Sequence, residues 1–314
     1  MTMSNSKVVA DGPLAAAVSQ RLSGVELLDW SLTEAGTHPE VAALYTYGHP
    51  RVDGQILDRF PALQVISNYG VGVDHIDVAA AVQRGIVVGN TPGILNGATA
   101  DMAFTLLMAT GRRLVEGDRY ARSPEFTVYD PGYMLGREIY GQTLGILGMG
   151  RIGEQIARRA AGFDMPIVYH NRTRNEEAEQ RTGARYVDFE QLLGTADYVV
   201  VATPLTPQTT GLIGPRALGL MKSTACLINI ARGAVVDTEA LTEALASGAI
   251  YAAGLDVTDP EPLPRNHPLL QLPNVTIAPH LGSATEQTRE AMAAMSVENL
   301  LRGLRSEPLL HTVG

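Results

Sequence analysis

The chain has 314 residues and a formal charge of −9, from 24 Lys+Arg against 33 Asp+Glu. That length suits two domains, and 45% hydrophobic with 18% charged residues supplies packed cores and excludes a disordered chain. A sequence pI near 5.3 argues against nucleic acid or an anionic membrane surface as partner, because both are bound through clustered Lys and Arg.

Residues 1–9 are polar before they turn apolar and lack the parts of a secretory signal. No window approaches the ~20 apolar residues of a bilayer span. The expectation is a soluble, cytoplasmic protein. Short apolar runs at 7–10, 25–28, 42–45, 64–67 and 86–88 read as mostly buried strands, with helical spacing at 14–22 and 76–84 between them. A long apolar helix follows at 98–113, where Thr99-Ala100-Asp101 puts polar groups near the start. Further strands are expected at 143–147, 167–170, 198–201, 226–230, 252–255 and 275–277, with helices at 152–161 and 238–246 and a last helix at 285–304. The alternation predicts an α/β chain with two doubly wound parallel sheets. The single cysteine, Cys226, lies in an apolar run and reads as a small buried hydrophobe.

Gly148-Met149-Gly150-Arg151-Ile152-Gly153 sets G-x-G-x-x-G directly after a strand and before a helix. In that setting Gly148 permits a tight turn, Gly150 lets backbone approach a pyrophosphate, and Gly153 lets helix and strand pack closely. The helix N-terminus then offers N–H groups and a partial positive charge. At the end of the next strand, where an NAD-selective site carries Asp or Glu, stands Asn171, followed by Arg172, Thr173 and Arg174. Guanidinium, amide and hydroxyl donors suit a 2′-phosphate, which a carboxylate would repel. NADP(H) is therefore the preferred cofactor, with NAD(H) possible; a solvated basic turn is the plainer alternative.

Arg232, Glu261 and His280 stand near the ends of later strands, where open α/β sheets collect ligands. Singly they read as a surface arginine, a loop glutamate and a satisfied histidine. Together, behind a dinucleotide loop, they supply what a carbonyl reduction needs. The seven histidines show no zinc-like spacing, so no metal is expected.

The chain resembles the D-isomer-specific 2-hydroxyacid dehydrogenase family over nearly its whole length. The resemblance rests on Asn68-Tyr69-Gly70-Val71-Gly72-Val73-Asp74, Asn90-Thr91-Pro92-Gly93 and the glycine loop. It rests also on Asn229-Ile230-Ala231-Arg232-Gly233, on Gly254-Leu255-Asp256-Val257 with Glu261-Pro262, and on Pro279-His280-Leu281-Gly282. Met134-Leu135-Gly136 and His170-Asn171-Arg172-Thr173 look most like the glyoxylate/hydroxypyruvate reductase branch.

The resemblance implies a Rossmann cofactor domain, residues 98–284, inserted in a flavodoxin-like substrate domain, residues 1–97 and 285–314. It implies that Arg232 binds the carboxylate of a small 2-ketoacid and polarises its keto oxygen, and that His280 donates a proton as hydride arrives. Glu261 would hold the other ring nitrogen and favour the imidazolium. Val71 and Gly72 would offer N–H groups to the substrate carboxylate, the alternative being a plain turn. Thr203-Pro204 would lie beside the nicotinamide ribose. Asp256 would bind the carboxamide, helped by the Ile230 carbonyl next to Ala231, and Gly282 would let the His280 loop pack on the nicotinamide. Thr99 would approach a phosphate or ribose, or simply cap its helix. A homodimer is implied through the cofactor domain, using the apolar helix 98–108 and residues 120–135. The rivals are a dinucleotide-sensing protein of corepressor type and other branches of the family, phosphoglycerate dehydrogenase among them. Against phosphoglycerate dehydrogenase stands the lack of sequence after Gly314, and against formate dehydrogenase the Glu261 position.

Overall fold

The computed structural model describes residues 6–313. The residues read above for a leader lie largely outside that range. Strands β1 (Lys7–Ala10), β2 (Glu26–Asp29), β3 (Val41–Thr46), β4 (Val65–Asn68) and β5 (Val87–Gly89) come first. There follow β6 (Leu144–Leu147), β7 (Ile167–His170), β8 (Arg185–Tyr186), β9 (Tyr198–Val201), β10 (Cys226–Asn229), β11 (Ala252–Leu255) and β12 (Val275–Ile277). The last is β13 (Thr312–Val313). The chain divides into two compact units, Met1–Leu95 with Thr285–Gly314, and Asn96–Ala284.

The first unit holds a six-stranded sheet in the order β13-β5-β4-β3-β1-β2, parallel except for β13 on β5. One face is covered by a core that includes Leu44, Leu57, Phe60 and Ile66. The helix Glu286–Leu304 lies against β4, where Gly303 is needed because a Cβ there would stand 2.5 Å from Val65. Thr285 starts that helix by accepting the Thr288 N–H, and the buried Tyr45 hydroxyl meets Ser296 at 2.7 Å.

The second unit holds a seven-stranded parallel sheet in the order β12-β11-β10-β9-β6-β7-β8. Its four central strands, β11, β10, β9 and β6, are buried at every residue, as strands covered on both faces must be. Helices Asn96–Gly111 and Arg151–Ala160 build the core on one face, around Phe104, Leu107 and Ile156. Helices Phe189–Thr195, Pro215–Leu220 and Thr238–Ala246 build the other, around Leu192, Leu218 and Leu241.

Two local expectations need correction, and two short strands went unannounced. The strand expected at 25–28 is an exposed edge rather than mostly buried, since β2 has β1 on one side only. The helix expected at 14–22 is only Ala16–Ser19: Ala15 has no side chain with which to cap it, and the chain leaves in turns. Two-residue strands β8 and β13 are too short for any periodicity to announce them.

Candidate active site

In a parallel sheet all strands end at the same edge. The loops after β6, β9, β10, β11 and β12 carry the glycine turn, Thr203-Pro204, Arg232, Glu261 and His280 along that edge of the second unit. Strand β6 connects to β7 on one side, while β9 pairs with it on the other. The glycine turn thus stands at the point where strand order reverses.

Gly148 has φ +106°, and a Cβ there would lie 2.6 Å from the Ala202 carbonyl carbon and 2.7 Å from the Thr203 nitrogen. A Cβ on Gly153 would strike the Gly148 carbonyl oxygen. The equivalent direction from Gly150 is open to 4 Å, and no side chain caps the helix that begins at Arg151. Two glycines therefore close the turn and the third keeps a face clear in front of an uncapped helix N-terminus. This arrangement fits a dinucleotide pyrophosphate.

Asn171 is turned inward. Its Oδ1 accepts the Met149 N–H at 2.6 Å and its amide donates to the Met149 carbonyl at 3.3 Å, which also receives Asn175 Nδ2 at 3.0 Å. The amide thus ties the end of β7 to the glycine turn. Arg172 and Thr173 are exposed beside it. Arg174 is committed to Glu179 through two 2.7 Å hydrogen bonds. That guanidinium, with the Tyr169 hydroxyl, holds the Glu179 carboxyl down to about 2.

At the next strand ends, Asn229 folds the segment that presents Arg232. Its Oδ1 accepts the Ala231 N–H at 3.1 Å and its amide donates to the Arg232 carbonyl at 2.9 Å. Arg232 is half-buried, and its Nη1 donates to the Ala231 carbonyl at 2.8 Å. Gly233 packs directly on the backbone of Thr258 and Asp259, two residues before Glu261. Ile230 is buried and donates its N–H to the Val201 carbonyl at 3.3 Å.

Glu261 and His280 meet: Nδ1 of the ring lies 2.7 Å from Oε1, with a third of the histidine side chain still exposed. His280 has φ +56°, in the left-handed region that a non-glycine residue seldom adopts. Asp256, only 2% exposed, explains how that conformation is held. Its carbonyl accepts the His280 N–H at 2.9 Å, and its two carboxylate oxygens accept those of Leu281 at 2.6 Å and Gly282 at 2.7 Å. The side chain expected to face a carboxamide thus also clamps the His280 loop. Burial raises its carboxyl above the usual aspartate value, and the two N–H bonds oppose that rise. Gly282 faces Asp256 and Thr99, which leaves no space for a side chain. Thr99 is buried inside the first turn of its helix, which begins at Asn96, so it is not the cap.

Val71 and Gly72 belong to the first unit and follow β4 in a half-buried turn. Asn68, Asn90 and Asn229 stand in the motifs quoted above without a role, and Asn175 stands in none; that they shape these loops is seen only in the structure. One signal was available: Asn68 and Asn229 are each a lone carboxamide at the end of a buried strand. Among the described residues no cluster of His, Cys, Asp and Glu could hold a metal, and no helix is long and apolar enough to cross a membrane.

Residues 104–282 match the family model described as D-isomer specific 2-hydroxyacid dehydrogenase, NAD binding domain. A glyoxylate reductase from Thermococcus gammatolerans is 51% identical over 266 residues, 83% of this chain and 79% of that enzyme. The chain belongs to the D-isomer specific 2-hydroxyacid dehydrogenase family. A glyoxylate reductase from Pyrococcus furiosus is 49% identical over 272 residues, covering 85% and 81%. A crystal structure of an NADPH-dependent glyoxylate/hydroxypyruvate reductase from Sinorhizobium meliloti, with NADP and malonate, superposes with a TM-score of 0.89 at 32% identity, covering 98% and 97%. The protein is an NAD(P)-dependent 2-hydroxyacid dehydrogenase acting as a 2-ketoacid reductase. Its fold is the dehydrogenase's pair of parallel α/β domains, one of them the NAD-binding Rossmann domain.

Proposed function

We propose that this dehydrogenase reduces glyoxylate and hydroxypyruvate, in preference with NADPH, to the corresponding 2-hydroxyacids of D configuration where a stereocentre forms. The observation that carries the reading is the 2.7 Å Glu261–His280 pair on the sheet edge that also bears the glycine turn. The two named reductases and the NADP-bound neighbour support the substrate class and the cofactor.

The dinucleotide would be held by Gly148, Met149, Gly150, Arg151, Ile152 and Gly153 at its pyrophosphate, and it would supply the hydride. Thr203, Pro204, Ile230, Ala231, Asp256, Gly282 and Thr99 surround the remainder. Support for NADPH comes from the end of β7: no carboxylate stands there, and Arg172 and Thr173 are exposed for a 2′-phosphate while Asn171 holds the turn. Arg232 offers a planar fork to the substrate carboxylate, a geometry that a lysine lacks. Glu261 takes the hydrogen on Nδ1 of His280, which directs Nε2 toward the keto oxygen. His280 gives its Nε2 proton to that oxygen, so no localised alkoxide builds up. Within the first unit, Val71 and Gly72 are the backbone ligands of a carboxylate.

A homodimer is part of the proposal, with an altered surface. Helix 98–108 is largely core, with Ala100, Ala103, Phe104, Leu106 and Leu107 buried, whereas Leu114, Val128, Tyr129 and Leu135 are exposed. The deciding experiment is steady-state reduction of glyoxylate, hydroxypyruvate and pyruvate with NADPH and with NADH. The reading requires the highest kcat/KM for glyoxylate or hydroxypyruvate with NADPH, and D-glycerate from hydroxypyruvate. NADPH binding without turnover of any 2-ketoacid would refute it.

A further inference from the structure

A turn that binds an anion through backbone N–H groups works only if its carbonyl oxygens are held elsewhere, because a carbonyl facing the anion repels it. In the turn after β4 every carbonyl from Gly70 to Gly72 is held. Gly70 O accepts the Thr91 N–H at 3.0 Å and Asn68 Nδ2 at 3.1 Å. Gly72 O accepts the same Asn68 amide at 2.9 Å, and Val71 O accepts Asn90 Nδ2 at 2.7 Å. Among the described residues, the N–H groups of Val71 and Gly72 have no acceptor.

Asn68 is the hub. It is 1% exposed at the end of β4, and its Oδ1 accepts the hydroxyl of the fully buried Thr46 at 2.8 Å. The Gly70 and Gly72 carbonyls can only accept, so the NH2 end faces the turn and uses both its hydrogens there, and the Thr46 hydroxyl steadies that orientation by donating to Oδ1. A buried carboxamide without partners would be costly, and an apolar residue would suffice for packing. The retained polar group has one evident product: it holds two of the turn's carbonyls, Gly70 and Gly72, while Asn90 holds that of Val71, and two N–H groups are left for a ligand.

We propose that Asn68, oriented by Thr46, is a positioning residue for the 2-ketoacid carboxylate. It acts through the Val71 and Gly72 N–H groups without touching the substrate. This rests on the reading of that turn as a carboxylate ligand.

The test uses the full-length enzyme and the variants Asn68→Ala and Asn68→Asp. KM for glyoxylate and Ki for oxamate, a non-reducible carboxylate analogue, should rise about tenfold or more. Saturated kcat and the Kd for NADPH should stay within about threefold. A general structural lesion would instead lower kcat and Tm and weaken both ligands. Should these variants fail to fold, Thr46→Val leaves Asn68 in place and removes only its orienting hydroxyl. It should raise the same constants a few-fold, and less than additively when combined with an Asn68 substitution that folds. Unchanged KM and Ki in the folded variants, or in Thr46→Val alone, would overturn the proposal. The turn itself is checked separately: oxamate should shift the backbone amide resonances of Val71 and Gly72 in wild-type enzyme. If they stay still, the carboxylate reading fails and this proposal with it. If they shift while the variants keep their KM, the positioning role alone fails.

Discussion

Asp256 accepts two consecutive backbone N–H groups and thereby holds His280 at a positive φ beside Glu261. Only its ionised form accepts both, yet burial raises its carboxyl above the ordinary value of 3.8. A raised folded value means that the folded chain keeps this proton to higher pH than the unfolded chain. The group's stabilising contribution is therefore present below the ordinary value and is lost as pH rises through the raised one. Activity should run the other way, with kcat rising across that window as the clamp ionises. The variant Asp256→Asn should have a lower kcat without that acid limb, while its Tm relative to wild type improves as pH rises through the window. A wild-type acid limb that survives in Asp256→Asn would show that another group causes it. His280→Ala should lower kcat by ~10²–10⁴ with NADPH affinity nearly unchanged; near-normal kcat would remove His280 as the acid. Asn171→Asp can still accept the Met149 N–H, loses only the long 3.3 Å bond to the Met149 carbonyl, and sets a carboxylate beside Arg172 and Thr173, where a 2′-phosphate would be repelled. The ratio of kcat/KM for NADPH to that for NADH should fall at least tenfold. An unchanged ratio would locate cofactor selection elsewhere.

The glycine turn is where element and chemistry coincide. Gly153 and Gly150 separate packing from binding. Gly153→Ala forces a methyl onto the Gly148 carbonyl oxygen and should destabilise the chain by roughly 1–3 kcal/mol, read as a lower Tm. In Gly150→Ala the methyl points into open space, so Tm should hold while the Kd for NADPH rises. If both variants lose stability alike and neither loses affinity, the turn is structural only. This motif was legible because strand, glycines and helix are contiguous, and β6 and the helix Arg151–Ala160 follow the expected places closely. The proposed catalytic residues Arg232, Glu261 and His280 stood out by residue type and by their order along the strand ends, and the structure brings Glu261 and His280 together. Contacts between distant residues were not. Asn171 reaches Met149 across 22 positions and Asp256 reaches Leu281 across 25, and nothing in either local segment names the partner. Edge strands escaped for the same reason: the exposure of β2 follows from the sheet's neighbour order and not from its own residues.

Among the described residues, the exposed large apolar side chains concentrate along one stretch, with others scattered singly. Leu114, Phe126, Val128, Tyr129, Tyr133, Leu135 and Tyr140 are all at least 49% exposed. Tyr120 packs against Phe126 and Tyr133 with ring centroids 5.4 and 4.8 Å apart, so part of the stretch is an ordered aromatic group rather than scattered side chains. A concentration of this kind marks a contact surface, since an isolated exposed leucine means little and a run of them is seldom left in water. It lies within the unit that carries the glycine turn, and the partner argued for above is a second copy of the chain. Light scattering should then give twice the 33.5 kDa chain mass for wild type. Tyr129 is 79% exposed and makes no core contact, so Tyr129→Asp spares the fold while burying a charge in any such interface. Combined with Val128→Asp, it should give a monomer with unchanged secondary structure. A double variant that remains dimeric at micromolar concentration would place the interface on another face.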